Sequence, residues 1–545
     1  RGREFKSRLR LKKNLISLSP DQRIIFYENK LLPIFNLYHS LIAEGYLDND
    51  TITKDAIISQ SVSLKNYLLS NNEILKAILA QTQKPDVVKT ILAIKKRIVL
   101  FEGEAMLLDK TGMYNEFDEL KDDIEEVFRS LLNRKTTDSL ATFVTAKKVA
   151  SKLTEKDVYL EFIRFNNVFK GDTLMYAAVS VNNKSKNFSF TNLFTEQHLI
   201  QLFKNRSSSP QLAAIYNSNQ RSVSIKKKPA DSTTTERSSS VIKDKLGNFI
   251  FDSLQAILKD KKRIIFIPDG YLNRISFAAL QLHDKFLFER YQLKQLSANR
   301  MLFKTNNSSF NNFFLAGGIN YDRTNCNSEN KFLSKDISWN YLPGSLKEIS
   351  ALYNRFNNKI PTTLVKEDNL VDSVNLSNYA YIHLATHGFY FDSSEVKNYF
   401  ADGIYVLDNI KKLPLLRSGI VLSNANCPPK GNTRENRYLL GYELAAQNLS
   451  NCKLITLSAC ESALGDIKSN LGVMGLQRAI KLAGAQKMLI TLWKIPDNET
   501  VEFMQLFYDF LLGKRLTEEE SLKKTQELMS KKYAVSKWGA FVLIE

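Results

Sequence analysis

Two short segments, 73 residues apart, constrain this 545-residue chain more than any other feature: Tyr381-Ile-His-Leu-Ala-Thr-His387-Gly388 and Lys453-Leu-Ile-Thr-Leu-Ser-Ala-Cys460-Glu-Ser. Each is an apolar run that ends abruptly in a residue able to do chemistry. A run of about five apolar residues with β-branched members reads as a buried strand, and open α/β sheets place reactive groups just past the carboxyl ends of such strands. His387 and Cys460 are therefore expected to face one crevice. A thiol attacks as its thiolate, and a neighbouring imidazole is the usual group to take or hold its proton. Spacing alone leaves a second reading open, since a His or Cys beside an apolar strand is more often a packed core residue. If the two side chains act together, Cys460 attacks covalently with His387 as acid and base, and peptide-bond cleavage is the expected activity.

Composition narrows the alternatives. A chain of 545 residues with 43% apolar content is expected to divide into two or three domains, each with an ample core. The 76 Lys and Arg against 57 Asp and Glu give a net charge of +19, and basic chains attract nucleic acid. Yet the charge is spread along the whole chain without a helix-turn-helix, zinc-finger or RNP-like motif, so direct nucleic-acid binding is not expected. Cys326, Cys427, Cys452 and Cys460 show no paired spacing, which suggests a reducing compartment. Five histidines and no CxxC give no zinc cluster, and neither metal nor cofactor is expected. There is no apolar stretch long enough for a membrane span, and the basic start Arg1-Gly-Arg-Glu-Phe-Lys lacks the apolar core of a signal peptide. The expectation is a cytoplasmic chain without membrane contact, whose start without methionine leaves room for an upstream part.

Texture changes along the chain. Over residues 1–150, apolar residues three and four apart in 72–79, 87–100 and 115–131 predict an all-helical region, with the acidic stretch 116–126 as a solvated face. Residues 151–250 are richer in strand patterns, at Val158–Phe165 and Thr173–Val181. They are interrupted at about 206–245 by a Ser-, Lys- and Thr-rich insertion with too little apolar mass to order itself. From 251 to 545, strand runs at 263–268, 313–317, 419–423, 488–492 and 540–544 alternate with helical patterns at 344–353, 472–483, 501–512 and 517–529. Alternation of this kind implies an α/β fold with a largely parallel sheet covered by helices. The polar stretches 306–312, 321–340 and 427–438 read as loops.

Several motifs carry a resemblance. Leu384-Ala-Thr-His387-Gly388 and Leu457-Ser-Ala-Cys460-Glu461-Ser462 are followed by Gly472-Val-Met-Gly475, Ala483-Gly484-Ala485 and Thr491-Leu-Trp493-Lys-Ile-Pro-Asp497. Upstream stand Ile267-Pro268-Asp269-Gly270 and Leu342-Pro343-Gly344-Ser345. Together, from about residue 155 to the end, they resemble the CHAT family, the caspase and separase relatives often joined to tetratricopeptide repeats.

The resemblance implies a caspase-like core with Cys460 as nucleophile and His387 as base, and the backbone amides of Gly388 and Cys460 as the oxyanion hole. It also implies that Asp497, 37 residues after the cysteine, receives a basic side chain before the scissile bond, with Glu461 and Asp466 near the same pocket. A competing reading makes Asp497 the cap of a helix starting near Glu499. His383 is expected beneath His387 as a structural residue. The family habit suggests divergent tetratricopeptide-type helices in residues 1–150, although no clean 34-residue period is visible. It further suggests a protein substrate and control by a regulatory protein or ribonucleoprotein at that region, in bacterial defence against phage or programmed cell death. The alternatives are a catalytically silent scaffold and a nucleic-acid-associated interaction protein.

Overall fold

The computed structural model describes residues 27–69, 144–204, 211, 245–304, 311–322, 338–367, 375–396, 414–427, 437–458, 465–468 and 472–545. The helical runs expected at 72–79, 87–100 and 115–131 and nearly all of the insertion at 206–245 lie outside these residues.

The strands, in chain order, are β1 (Asp157–Asn167), β2 (Thr173–Val181), β3 (Ser189–Thr195), β4 (Arg263–Ile267), β5 (Gln281–Leu282), β6 (Lys285–Phe286), β7 (Gln292–Gln295), β8 (Phe313–Ile319) and β9 (Thr362–Glu367). They continue with β10 (Tyr381–Ala385), β11 (Gly388–Tyr390), β12 (Ser418–Val421), β13 (Tyr438–Leu440), β14 (Leu454–Leu457), β15 (Gly465–Lys468), β16 (Gly472–Gly475), β17 (Lys487–Thr491) and β18 (Phe541–Ile544). The helices include α1 (Leu32–Ala43), α2 (Thr51–Leu69), α3 (Pro343–Phe356), α4 (Leu476–Ala483), α5 (Asp497–Tyr508) and α6 (Glu518–Lys532).

Among the described residues, eleven strands form one sheet in the order β3-β2-β1-β4-β7-β18-β17-β14-β10-β8-β9. Strands β1, β4, β7 and β18 run parallel, as do β17, β14, β10, β8 and β9, and the two blocks meet in opposite directions at the β17–β18 pair. The fold is α/β, a caspase-like and largely parallel sheet flanked by helices and preceded by a helical region. Strand-rich residues 157–195 are not a separate layer, because β1 hydrogen-bonds directly to β4.

Burial on both faces explains why these strands read as continuous apolar runs. In β1, Val158, Leu160 and Phe162 join one core while Tyr159, Ile163 and Phe165 join another on the opposite face. The same alternation divides Ile264 and Phe266 from Ile265 and Ile267 in β4. The largest core covers β8, β10, β14 and β17 and includes Ile382, Leu384, Ile455, Leu457 and Leu489. Each such side chain contributes roughly 1.5–3 kcal/mol by leaving water.

One helical expectation is corrected. Residues 472–475 are not the start of a helix but strand β16, paired antiparallel with β15, and helix α4 begins at Leu476. Gly472 takes a left-handed φ of 74°, which suits glycine and breaks a helix, so the apolar spacing extends past the backbone's helical part. Among the described residues, no helix is long and apolar enough to cross a membrane.

Ile382 is fully buried in the middle of β10. Ile382→Ala is expected to cost about 2–5 kcal/mol, read as a lowered urea midpoint with the denaturant slope unchanged.

Candidate active site

The parallel ladder between β10 and β14 pairs Tyr381 with Leu454 and Leu384 with Leu457. In sequence, His387 and Cys460 each stand three residues beyond the last matched pair, so both have the same sequence offset from the ladder. The Ser458 amide still donates to the Leu384 carbonyl at 2.9 Å, which keeps the two segments side by side past the strands. Cys460 and Glu461 themselves lie outside the described residues.

His387 is held from several directions. Its Nε2 lies 2.8 Å from the backbone carbonyl of Asn340. A carbonyl only accepts, so Nε2 carries the hydrogen and, in the neutral ring, Nδ1 keeps its lone pair. The ring sits between Tyr321 and Trp339, with centroids 5.1 Å and 5.2 Å away. The His387 amide donates to the Tyr321 hydroxyl at 3.3 Å, and its carbonyl accepts from the Val421 amide at 2.8 Å. Thr386 completes this frame, its hydroxyl bonding the Tyr321 hydroxyl at 2.7 Å and donating to the Val421 carbonyl at 2.8 Å. Burial lowers the imidazole's pKa from its ordinary value; nearby Lys494 adds to the effect, while the Asn340 carbonyl and Asp497 oppose it. Gly388 opens β11 and pairs with Ile420 across the small sheet β11-β12-β13.

His383 remains inside the sheet, as expected of a structural residue. Its Nε2 is 2.8 Å from Glu348 Oε1 in α3, an ion-pair distance whose angle falls short of a hydrogen bond, and its Nδ1 is 3.2 Å from the Tyr508 hydroxyl. Tyr508 in α5 also reaches Thr456, the residue paired with His383 across the ladder, at 2.8 Å. Ser458 donates to the other oxygen of Glu348 at 3.1 Å. One buried carboxylate therefore touches both strands that lead to His387 and Cys460.

Asp497 occupies a different role from the helix cap weighed for it. It is the first residue of α5, after Pro496, and its Oδ2 accepts from the Gly344 amide in the first turn of α3 at 3.2 Å. It thus caps a neighbouring helix whose own N-cap, Leu342, has no polar side chain. The approach requires glycine, because a Cβ at Gly344 would stand 2.4 Å from Asp497 Cβ. Asp497, Glu348, Thr386, Ser458 and Thr491 line a small cavity of mixed polarity, together with apolar Leu342 and Ile495, next to the residue that precedes His387.

Asp466 is engaged elsewhere. Fully buried Arg417 donates to its Oδ2 at 2.5 Å, and the Tyr390 hydroxyl also bonds it. Arg417 further donates to the Phe391 carbonyl at 2.6 Å. This group joins β15, which follows Cys460 in the chain, to β11, which follows His387. The Asp466 charge is matched internally, so it differs in this respect from Asp497.

The cysteines also depart from the simple expectation. Cys452 is free and buried, and burial pushes its thiol pKa up, whereas Cys427 is disulfide-bonded, a state that cysteine spacing does not announce. Among the described residues, no group of three or more His, Cys, Asp or Glu is arranged to hold a metal ion.

A profile of the family described as CHAT domain matches residues 243–545, more than half of the chain. The chain belongs to the CHAT domain family. This CHAT-domain chain thereby falls in the caspase- and separase-like clan of cysteine-protease folds. It is 34% identical to tetratricopeptide repeat protein 28 of Mus musculus over 127 residues, 23% of this chain and 5% of that protein. Two crystal structures of the Saccharomyces cerevisiae separase–securin complex align with TM-score 0.40 and 10% identity, covering 91% of this chain and 37% of that one. In each case the matched length is a minor part of the relative's own chain.

Gly344→Ala is expected to force α3 and α5 apart and to lower stability by about 1–3 kcal/mol, the usual cost of overpacking. Thermal unfolding of wild type and variant side by side checks this.

Proposed function

We propose that this CHAT-domain protein is a cysteine endopeptidase in which Cys460 attacks a peptide carbonyl and His387 moves the proton. The observation that carries the reading is the His387 Nε2 to Asn340 carbonyl bond at the carboxyl edge of β10, which leaves Nδ1 as the basic nitrogen. The parallel register supports Cys460 as its partner, since the two residues follow matched strand positions. The thiol loses its proton to His387 as the carbon–sulfur bond forms. His387 then returns the proton to the leaving amine, and water activated by the same ring hydrolyses the thioester. Burial that disfavours imidazolium argues for a neutral resting ring rather than a preformed ion pair. The Gly388 and Cys460 amides serve as the oxyanion hole, each worth about 3 kcal/mol if placed like comparable donors.

Substrate choice is assigned to a basic residue before the scissile bond. Asp497 is exposed and lines the small cavity next to Thr386, and a carboxylate there suits a guanidinium or ammonium group. Glu348 adds a second carboxylate to the cavity wall, while Asp466 already answers Arg417. Glu461 is kept as a further pocket residue by its position next to Cys460. Residues 1–150 are assigned to partner binding, 151–250 to the opening strands and 251–545 to the catalytic core. Exposed Ile34, Leu37 and Tyr46, at 46%, 42% and 68% accessibility, support a surface for a regulatory protein or ribonucleoprotein in the helical region. Such control fits a protease of antiviral defence or programmed death.

Intact-mass detection of an adduct with an arginyl acyloxymethyl ketone tests the reading. Labelling is expected in wild type and lost in C460A and H387A; labelling of C460A, or none in wild type with any arginyl, lysyl or leucyl probe in the presence of candidate partners, favours a silent scaffold. Asp497→Asn is expected to weaken arginyl over leucyl labelling by roughly 10-fold, about 1.4 kcal/mol of lost charge pairing. The acid limb of the labelling rate should lie below the ordinary histidine range near 6.5, because neutral His387 is the active base and its pKa is lowered, so reactivity persists as pH falls and is lost only below that range.

A further inference from the structure

The imidazole of His387 depends on a carbonyl and two rings that come from a distant part of the chain, and one side chain fastens all of them. Asn426 lies five residues after β12, at the end of a turn that passes through left-handed Asn424. Its Oδ1 accepts from the Trp339 amide at 2.7 Å, and its Nδ2 donates to the Trp339 carbonyl at 2.9 Å. The second Nδ2 hydrogen goes to Asp322 Oδ1 at 2.9 Å, and the Asn426 amide donates to the Tyr321 carbonyl at 2.9 Å. Both polar groups of the Trp339 backbone are thus held by a single carboxamide, which fixes the direction of the next peptide unit. That next residue is Asn340, whose carbonyl accepts from His387 Nε2. The same carboxamide ties Trp339 to the segment carrying Tyr321, and the rings of these two residues flank His387.

The geometry points to Asn426 as a positioning residue that sets the tautomer and orientation of His387 through the Asn340 carbonyl. Its side-chain carboxamide accepts one bond and donates both of its N–H hydrogens, a pattern that no isosteric side chain reproduces. The substitution Asn426→Asp would keep an acceptor for the Trp339 N–H but lose the donor to the Trp339 carbonyl and set a carboxylate against Asp322. The chemical importance of this role rests on His387 acting as the base, whereas the tautomer itself does not.

The test therefore reads the ring directly. The whole chain, labelled with ¹⁵N-histidine, is examined by long-range ¹H–¹⁵N NMR above pH 7, and H387A identifies the His387 signals. Wild type is expected to show well-separated protonated Nε2 and unprotonated Nδ1 shifts. In N426A the two shifts should converge as both tautomers are populated, and adduct formation at Cys460 should fall by up to ~10²-fold, the scale of small misplacements in an active site. S423A removes a different bond of the same turn, from Ser423 Oγ to the Glu367 carbonyl at 2.9 Å, and is expected to keep the wild-type tautomer. If far-ultraviolet circular dichroism shows N426A unfolded, N426D carries the test with the same expected convergence. Retention of the single Nε2–H tautomer in a folded Asn426 variant, or its equal loss in S423A, overturns the assignment. A wild-type protein with the stated tautomer but no reactive Cys460 would refute the protease reading and leave the role of Asn426 standing.

Discussion

The parallel ladder between β10 and β14 is the constraint on which the rest of the site depends. It fixes which residues of two segments 73 positions apart in sequence stand at the same height on the sheet edge. A slip by one residue would turn His383 and Thr456 out of their shared network and bring Ile382 or Leu384 against Glu348. The cores on both faces oppose such a slip, because every residue from Ile382 to Ala385 and from Leu454 to Leu457 is buried. Apolar packing and one polar network therefore specify the same register, and agreement between the two gives a unique arrangement.

Buried polar groups act here as links between elements. Glu348 joins α3 to the ends of both strands, Tyr508 joins α5 to His383 and Thr456, and Arg417 joins the segments that follow the two strands. Each group has little exposure, so loss of a partner leaves a desolvated charge or dipole. The crevice is built on such links at its base and on aromatic walls at its side. Its surroundings can hold an imidazole in one tautomer because the acceptor is a backbone carbonyl, which cannot reverse its role.

Much of this was legible in the residues. The runs around Ile382, Ile455, Ile265 and Leu489 are dense in β-branched and aliphatic side chains, and all are strands. The motif order indicated the family and put His387 at the carboxyl end of its strand. Other parts had no local signal. The Asn340 carbonyl belongs to a polar stretch that reads as a loop, and a main-chain acceptor leaves no trace in side-chain pattern. Asn426 looks like an ordinary turn residue, since its partners lie about a hundred positions upstream. Asp497 was placed at the right helix, but its reach to Gly344 depends on how α3 and α5 cross. The glycines of residues 472–475 were hidden by an apolar spacing that suits a helix and a short hairpin equally.

The position of β18 has a consequence for how the protein is made. It is the latest of the strands in sequence, yet it lies between β7 and β17 and is what joins the two parallel blocks. During stepwise synthesis, β7 and β17 are left with unpaired edges until Ile544 has left the ribosome, some 160 residues and on the order of 10 s after His387 at ordinary elongation rates. Such edges invite pairing with other nascent chains, which gives a folding factor a reason to attend this interval. The same order keeps the sheet that carries His387 incomplete until β18 has emerged, so its maturation is timed by topology.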